Sequence, residues 1–386
     1  MRLRRCHCVV IQPRERFTID LELMLRETPR LASTFEWVAL AAHLDAEVRV
    51  DLDEIAVLGK VSAHAWTDRS QLEYEHPTQT LQSLEAKGLL VAEHTATANA
   101  DDSVRTTHWE GLSAVAHRHL RWRDIDSERE RGRFQELVEG EPLAHLGPPP
   151  ATSVERGPPE ARIALPGTPA SPLAALMARR VTCRNFDPVR PLAPDDLASV
   201  LGLVFGARAE ATVTGVPVLK KGSPSAGGLH PTEAYLLVRR VDGVAPGLYH
   251  YHAVAHALEP LRQLEAAEAD ALALRFVAVQ RYFLEAPVLV IYASRFERNF
   301  WKYRQHAKAY RATILDVGHL SQTLYLAATE RGLAAFFTAA VNEVDIEAAF
   351  GLDPMTQGVI GVGGFGHRAD TREEIEFDPL HAVWPA

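Results

Sequence analysis

In the N-terminal part of the chain, short apolar runs alternate with polar breaks. Cys8-Val9-Val10-Ile11 and Phe17-Thr18-Ile19-Asp20-Leu21 read as short strands, whereas Phe35-Glu36-Trp37-Val38-Ala39-Leu40 reads as the opening of an amphipathic helix. Further on, Leu81, Leu84, Leu89 and Leu90 surround Lys87-Gly88. That spacing predicts a helix with one apolar stripe that stops at the glycine and gives way to an extended Leu89-Leu90-Val91. Periodicity fades from Glu141 to Pro172, where prolines stand at 148 to 150, 158, 159, 166, 169 and 172. Proline fixes φ and donates no hydrogen bond, so this stretch is expected to be an extended connector rising about 3.1 Å per residue where it is polyproline-like. Beyond it, Pro172 to Met177 reads as a helix, Ala234 to Val238 as a strand, and Gly358 to Val362 as a strand running into glycines. The pattern divides the 386 residues into a domain at 1–140, a connector at 141–172 and a domain at 173–386, a length that suits two domains.

A helix that stops at a glycine and turns into a strand is the corner at which the third helix of a winged-helix domain meets its wing. Residues 1–140 are therefore expected to be winged-helix-like, although a dimerisation or packing module has the same pattern. Gln79, Gln82, Glu85 and Lys87 supply no basic recognition face, so a peptide or protein suits this domain better than DNA. The formal charge of −9 adds no global attraction to nucleic acid or anionic membrane. A composition of 47% hydrophobic and 24% charged residues is that of globular protein. Cys6, Cys8 and Cys183 cannot build a disulfide framework and suit a reducing compartment. No signal peptide or bilayer-spanning run is read from the pattern. The expected setting is the cytoplasm, without nucleic acid, membrane or metal.

Candidate chemistry lies downstream. Arg180, Thr182 and Arg184 place two guanidinium forks and a hydroxyl in one short stretch, a donor set that can converge on a phosphate; by themselves such residues are more often a solvated face. Ser223-Pro224-Ser225-Ala226-Gly227-Gly228-Leu229-His230-Pro231 combines small residues, which let backbone approach a flat ring closely, with prolines that stiffen the approach; judged in isolation it is more often a surface turn. Gly361-Val362-Gly363-Gly364-Phe365-Gly366 satisfies the spacing GxGxxG. A dinucleotide site needs a helix next and an acidic residue about 20 positions on within a βαβ unit, and this sequence ends almost at that point, so a Rossmann site is not expected. The strand end is still expected to offer amides and the cation of Arg368 to a phosphate.

In their order, these motifs resemble the nitroreductase-like flavoproteins, and more narrowly the SagB-type dehydrogenases. The narrower likeness includes Ile163-Ala164-Leu165-Pro166, Gly247-Leu248-Tyr249-His250-Tyr251, Lys302-Tyr303 before Ala309-Tyr310-Arg311, and Asp316-Val317-Gly318-His319 leading into Gly332-Leu333; it covers roughly residues 163 to 386. The resemblance implies an α+β fold with a mixed sheet flanked by helices, and bound FMN. It implies that Arg180, Thr182 and Arg184 hold the flavin phosphate with Arg368 as a fourth contact. Ser225, Ala226 and Gly227 would line the isoalloxazine, and the backbone at Ala339 and Ala340 would face flavin N5. Gly228 and His230 stand where asparagine and glutamine are usual, and Val181 replaces a second arginine, so an amide contact to the pyrimidine edge is missing. Lys302 and Tyr303, which alone would suit a helix surface, match a pair found near the flavin in azoline-oxidising members. The first 140 residues loosely resemble leader-peptide recognition domains.

The expected activity is therefore FMN-dependent oxidation of a thiazoline or oxazoline in a ribosomally made peptide, with Lys302 as the proton-handling residue and Tyr303 orienting it. A precursor peptide and a cyclodehydratase complex are the expected partners. Two alternatives stay open: an NAD(P)H-dependent reductase of nitroaromatics, quinones or dehydroamino acids, and a non-catalytic recognition scaffold. The resemblance also implies a homodimer, with Glu374-Ile375-Glu376-Phe377 as a strand crossing to the partner. Deleting residues up to about 140 is expected to leave flavin bound.

Overall fold

The computed structural model describes residues 1–19, 31–129 and 150–385. The expected strand at Phe17 to Leu21 and the expected connector at 141–172 thus lie partly outside the described residues. Two compact units emerge: one comprises Met1–Arg121, Ser294–Leu315 and Gly351–Gly358, the other Trp122–Ala293, Asp316–Phe350 and Val359–Ala386. The first unit thus recruits two segments from the far half of the chain.

Within the first unit, β1 (Arg2–Arg5) is flanked by β5 (Thr67–Asp68) and β6 (Leu90–Ala92) in a three-stranded sheet. A second sheet runs β2 (Val9–Ile19), β3 (Leu31–Ala41), β4 (Val48–Val50). The segment Phe35 to Leu40, expected to open a helix, is the middle of β3. Its neighbours decide this: Trp37 stands opposite Pro13 and Val50, and Glu36 is held between Arg16 of β2 and Arg49 of β4, 2.7 Å away. Cross-strand partners of this kind stabilise a sheet and outweigh a local helical reading. The leucine-stripe helix forms as its spacing predicts, over Thr78–Ala86. Leu81 and Leu84 are buried, Lys87 caps it, and Gly88 adopts φ +72° before Leu89, Leu90 and Val91 return to the core. A left-handed residue after the last turn ends a helix, and only glycine takes that conformation without a steric cost. Beneath this corner Glu54, the capping partner of Asp51, is buried and accepts from Lys87 Nζ at 2.5 Å and Ser83 Oγ at 2.6 Å.

The recruited segments complete an aromatic cluster in the same unit. Trp109 packs on Phe296, Phe300 and Tyr310 with ring centroids 4.6 to 5.5 Å apart, and its Nε1 donates to the carbonyl of Met355 at 2.7 Å. His117, stacked on Trp109, lies between Pro354 O at 2.9 Å and Tyr310 Oη at 3.0 Å. A carbonyl only accepts, so Nε2 carries the proton and Nδ1 accepts from the tyrosine hydroxyl.

The second unit holds a hairpin of β7 (Ala209–Val213) and β8 (Val216–Lys220) and a six-stranded sheet. Its members are β9 (Thr232–Val238), β10 (Gly247–His252), β11 (Ala257–Gln263), β12 (Val288–Arg295), β13 (Ala334–Thr338) and β14 (Gln357–Gly366), in the order β11-β10-β9-β12-β14-β13. The helices Pro194–Val204 and Ala309–Glu330 bury Val200, Leu201, Val204, Leu320 and Leu324 in one core with Leu236, Val290 and Phe365 of the sheet. This is the mixed α+β architecture expected. β14 occupies the penultimate position, and its glycines make room for large side chains: a Cβ at Gly361 would come within 2.6 Å of Phe337, and one at Gly363 within 2.8 Å of Leu324. The run Gly361 to Gly366 is therefore a packing device paired on both sides. Its register with β13 runs from Ala334 against Gly366 to Thr338 against Val362, so the expected offer of its amides to a phosphate gives way to sheet pairing.

Candidate functional site

The arginine-rich stretch lies along the edge of this sheet. Thr182 bridges to Ala335 of β13 in parallel sense, and Cys183 N donates to Ala335 O at 2.9 Å. Tyr325, from the long helix, gathers the first half of the group. Its hydroxyl lies 3.1 Å from Thr182 Oγ1 and accepts from Phe337 N at 3.0 Å, while the Arg180 guanidinium stands 5.5 Å from its ring centre. Arg184 turns to a different ring, Tyr282, at 5.7 Å, and donates to the carbonyl of Ile375 at 3.4 Å. Among the described residues no carboxylate pairs with Arg180 or Arg184. Cys183 between them is buried, and burial pushes its thiol up to about 11, so it is not a nucleophile.

Arg368 is arranged differently. It is ion-paired with Glu376, whose buried carboxylate also accepts from Arg184 N at 2.6 Å, Asn185 Nδ2 at 2.9 Å and Trp384 Nε1 at 2.8 Å. The segment Glu374 to Phe377, expected as a strand, carries no strand. Asn185 holds it, taking Glu373 N and Glu374 N on Oδ1 at 2.8 and 2.7 Å. A buried carboxylate is tolerated only when its acceptor sites are filled, and Glu376 fills them within its own chain.

The small-residue loop is pinned from below by a residue that spacing alone did not single out. Asp316, on the helix Ala309–Glu330, accepts from Ser225 Oγ at 2.6 Å and from Ala226 N at 3.1 Å, and Ser225 Oγ accepts in turn from His230 N at 2.9 Å. Burial raises the Asp316 pKa, opposed by the hydrogen bonds from Ser225 and Ala226. Gly227 and Gly228 adopt φ +62° and +68°, and His230 +46°. With Gly228 N on Ser225 O and Leu229 N on Ala226 O, the amides of residues 226, 228, 229 and 230 are all used within the loop or on Asp316. The loop offers a smooth surface more than a set of donors. Asp316→Ala leaves a hydroxyl and an amide without their acceptor, a loss of about 1–3 kcal/mol. Hydrogen exchange at the amides of Ala226 and His230 is expected to quicken ten-fold or more; unchanged protection would mean the loop is held elsewhere.

The backbone at Ala339 and Ala340 follows β13 directly. Ala340 N donates to Thr338 Oγ1 at 3.1 Å and Ala340 O accepts from Gln280 Nε2 at 2.6 Å, leaving Ala339 exposed between two held residues. Next to it, Asn342 and Glu343 clamp Trp122 to Ile125: Trp122 N reaches Glu343 Oε2 and Ile125 N reaches Asn342 Oδ1, both at 2.8 Å. Residues 122–127 are thus built into the second unit. Lys302 and Tyr303 belong to the first unit, in a turn and not on a helix surface; Lys302 is exposed, with Nζ 5.6 Å from the Tyr303 ring centre. Among the described residues no cluster of three or more His, Cys, Asp or Glu is placed to hold a metal, and no helix is long and apolar enough to cross a membrane.

Comparison with known proteins adds four relationships. Residues 177–367 match the model of the nitroreductase family. MJ1384 of Methanocaldococcus jannaschii, a protein named as a nitroreductase, is 30% identical over 188 residues, spanning 47% of this chain and 88% of that protein. The trifolitoxin-processing protein TfxB of Rhizobium leguminosarum bv. trifolii is 32% identical over 143 residues, 36% of this chain and 37% of its own length. Among solved structures, a chain of the E. coli microcin synthetase McbBCD complex, which carries truncated pro-MccB17, matches at TM-score 0.48 and 21% identity. That match covers 72% of this chain and all of the other.

Proposed function

The chain belongs to the nitroreductase family, and from that membership we propose that it is an FMN-dependent, SagB-type dehydrogenase acting in peptide maturation. One observation carries the cofactor assignment: the guanidinium groups of Arg180 and Arg184 have no carboxylate partner among the described residues, flank the Thr182 hydroxyl in the sequence, and belong to the same unit as a smooth glycine loop anchored by Asp316. That set fits a ligand with a dianionic phosphate and a flat ring. Arg368 is the weaker of the four assigned phosphate contacts, because Glu376 already compensates its charge. Ser225, Ala226 and Gly227 would line the ring, and Ala339 and Ala340 would face its reactive edge.

Oxidation of a thiazoline or oxazoline to the azole removes a hydride and a proton. Bound FMN supplies the two-electron acceptor. The chain must hold the ring, orient the peptide and take up the proton, and Lys302 is assigned that last role, with Tyr303 orienting it. Similarity to a toxin-processing protein supports a precursor peptide as substrate; a cyclodehydratase complex is the partner proposed with it, because an azoline must first be made by cyclodehydration. Residues 1–140 would then be a winged-helix-like unit for the peptide or partner, in a cytoplasmic enzyme.

The test is spectroscopic first: the pure protein should be yellow, and its flavin should be reduced by a cyclised precursor peptide. Rapid reduction by NAD(P)H without peptide would favour a small-molecule reductase. Lys302→Ala should keep the flavin and lose most dehydrogenation, while Tyr303→Phe should be milder; full turnover in Lys302→Ala would place the base elsewhere. A homodimer is part of the same reading. The helix Pro172–Arg179 buries none of its residues, with Leu173 and Met177 half exposed, and Ile375 and Phe377 also stand in solvent. A flavin-loaded, active monomer in sedimentation would end that part.

A further inference from the structure

The turn before β12 holds two residues with side chains in the left-handed region, Ala278 at φ +47° and the β-branched Val279 at φ +64°. Such backbone persists only where its surroundings over-determine it, and it concentrates near functional sites. Here the surroundings include one buried amide. Gln280 Nε2 donates to Val277 O at 2.7 Å and to Ala340 O at 2.6 Å, and its Oε1 accepts from Tyr282 Oη at 3.1 Å and from Thr338 Oγ1 at 3.3 Å. Both donors and both acceptor sites of the amide are filled. The four partners lie on two elements: Val277 and Tyr282 flank the strained turn, and Thr338 and Ala340 flank exposed Ala339. Tyr282 also lies under the Arg184 guanidinium.

We propose that Gln280 is a positioning residue that sets the Ala339–Ala340 backbone and ties it, through Tyr282, to the face carrying Arg184. This rests on the reading that the Ala339–Ala340 backbone meets the flavin ring and Arg184 its phosphate. One amide then couples the segment that meets the ring to the side chain that meets the phosphate. Core filling alone would not need this: an apolar residue of the same volume fills the space, whereas only a carboxamide donates twice and accepts twice at one point.

The experiment uses the full chain reconstituted with FMN. Gln280→Leu removes all four bonds. Gln280→Glu keeps the shape but turns an oxygen toward the carbonyls of Val277 and Ala340, so it should be as severe. Tyr282→Phe removes one of them and keeps the ring beside Arg184, whereas Thr338→Val removes one and also takes away the acceptor of Ala340 N. FMN affinity is read from flavin fluorescence, the midpoint potential from equilibration with a reference dye, and folding from the melting temperature. Both Gln280 variants are expected to change the ratio of oxidised to reduced flavin at a fixed potential at least ten-fold, about 30 mV for a two-electron couple; Tyr282→Phe should move it the same way and less. A lower melting temperature with an unmoved potential would make Gln280 a structural residue and overturn the proposal. If the Gln280 variants do not fold, Tyr282→Phe decides by the same criterion. Wild-type protein that takes up no FMN would defeat both this proposal and the functional reading, whereas wild-type that binds FMN beside variants of unmoved potential defeats this proposal alone.

Discussion

Arg180→Ala and Arg184→Ala are each expected to weaken FMN binding about ten-fold or more, and the double variant roughly a hundred-fold. Each removes a charge-assisted hydrogen bond to phosphate, worth about 1.5–3 kcal/mol, and 1.4 kcal/mol is a factor of ten. The two guanidinium groups stand near the rings of Tyr325 and Tyr282, with no carboxylate among the described residues to release first, so little of the binding energy is spent on breaking internal pairs. Arg368 is a contrast, since its loss also strands the buried carboxylate of Glu376 and should lower stability together with flavin affinity. Titration of apo-protein with FMN gives the dissociation constants, and unchanged flavin occupancy in both single variants would remove the phosphate-site assignment. Because the two groups would share one ligand, the departure of the double variant from the product of the singles measures their coupling.

Acid should unfold the first unit earlier than carboxylate protonation alone would. Burial lowers the pKa of His117 to about 3, and it also lowers those of His7, His43 and His119. In the folded chain His117 is neutral, donating to Pro354 O and accepting from Tyr310; unfolded, it protonates near the ordinary value of about 6.5. Below that value the unfolded state binds the extra proton, so stability is fully present above pH 6.5 and is lost as the pH falls toward 3. The slope for one such group is about 1.4 kcal/mol per pH unit. The three less perturbed histidines act in the same direction over narrower windows. Urea midpoints measured from pH 7 to 4 should therefore fall steadily. His117→Gln, which keeps a donor and an acceptor but cannot titrate, should flatten that dependence by one group; parallel curves for the two proteins would show that His117 is already charged when folded.

Several elements of the chain could be read without any partner, because their cause is local. The helix ending at Gly88 is set by leucines three residues apart and a glycine that accepts φ +72°, and the loop at Gly227 and Gly228 by two residues free to take positive φ. The order of the Arg-Thr-Arg stretch, this loop and the glycine strand was enough to suggest the family. What local pattern left open depends on residues far apart in the chain. Phe35 to Leu40 is a strand because β2 and β4 lie on either side of it, and intrinsic propensity is a weak force beside such pairing. Asp316 reaches Ser225 across 91 positions, and Glu376 reaches Arg184 across 192, so neither carboxylate announces its role by spacing. The glycines of β14 looked like a ligand loop and proved to be clearance for Phe336, Phe337 and Leu324, which sequence alone does not bring near them. Residues 294–315 join the first unit because Trp109 and His117 need Phe296, Phe300 and Tyr310 to complete a core. Burial is a property of the assembled chain: backbone conformation and turn chemistry can be read residue by residue, whereas the partner that satisfies a buried charge or fills a buried surface exists only once distant segments have met.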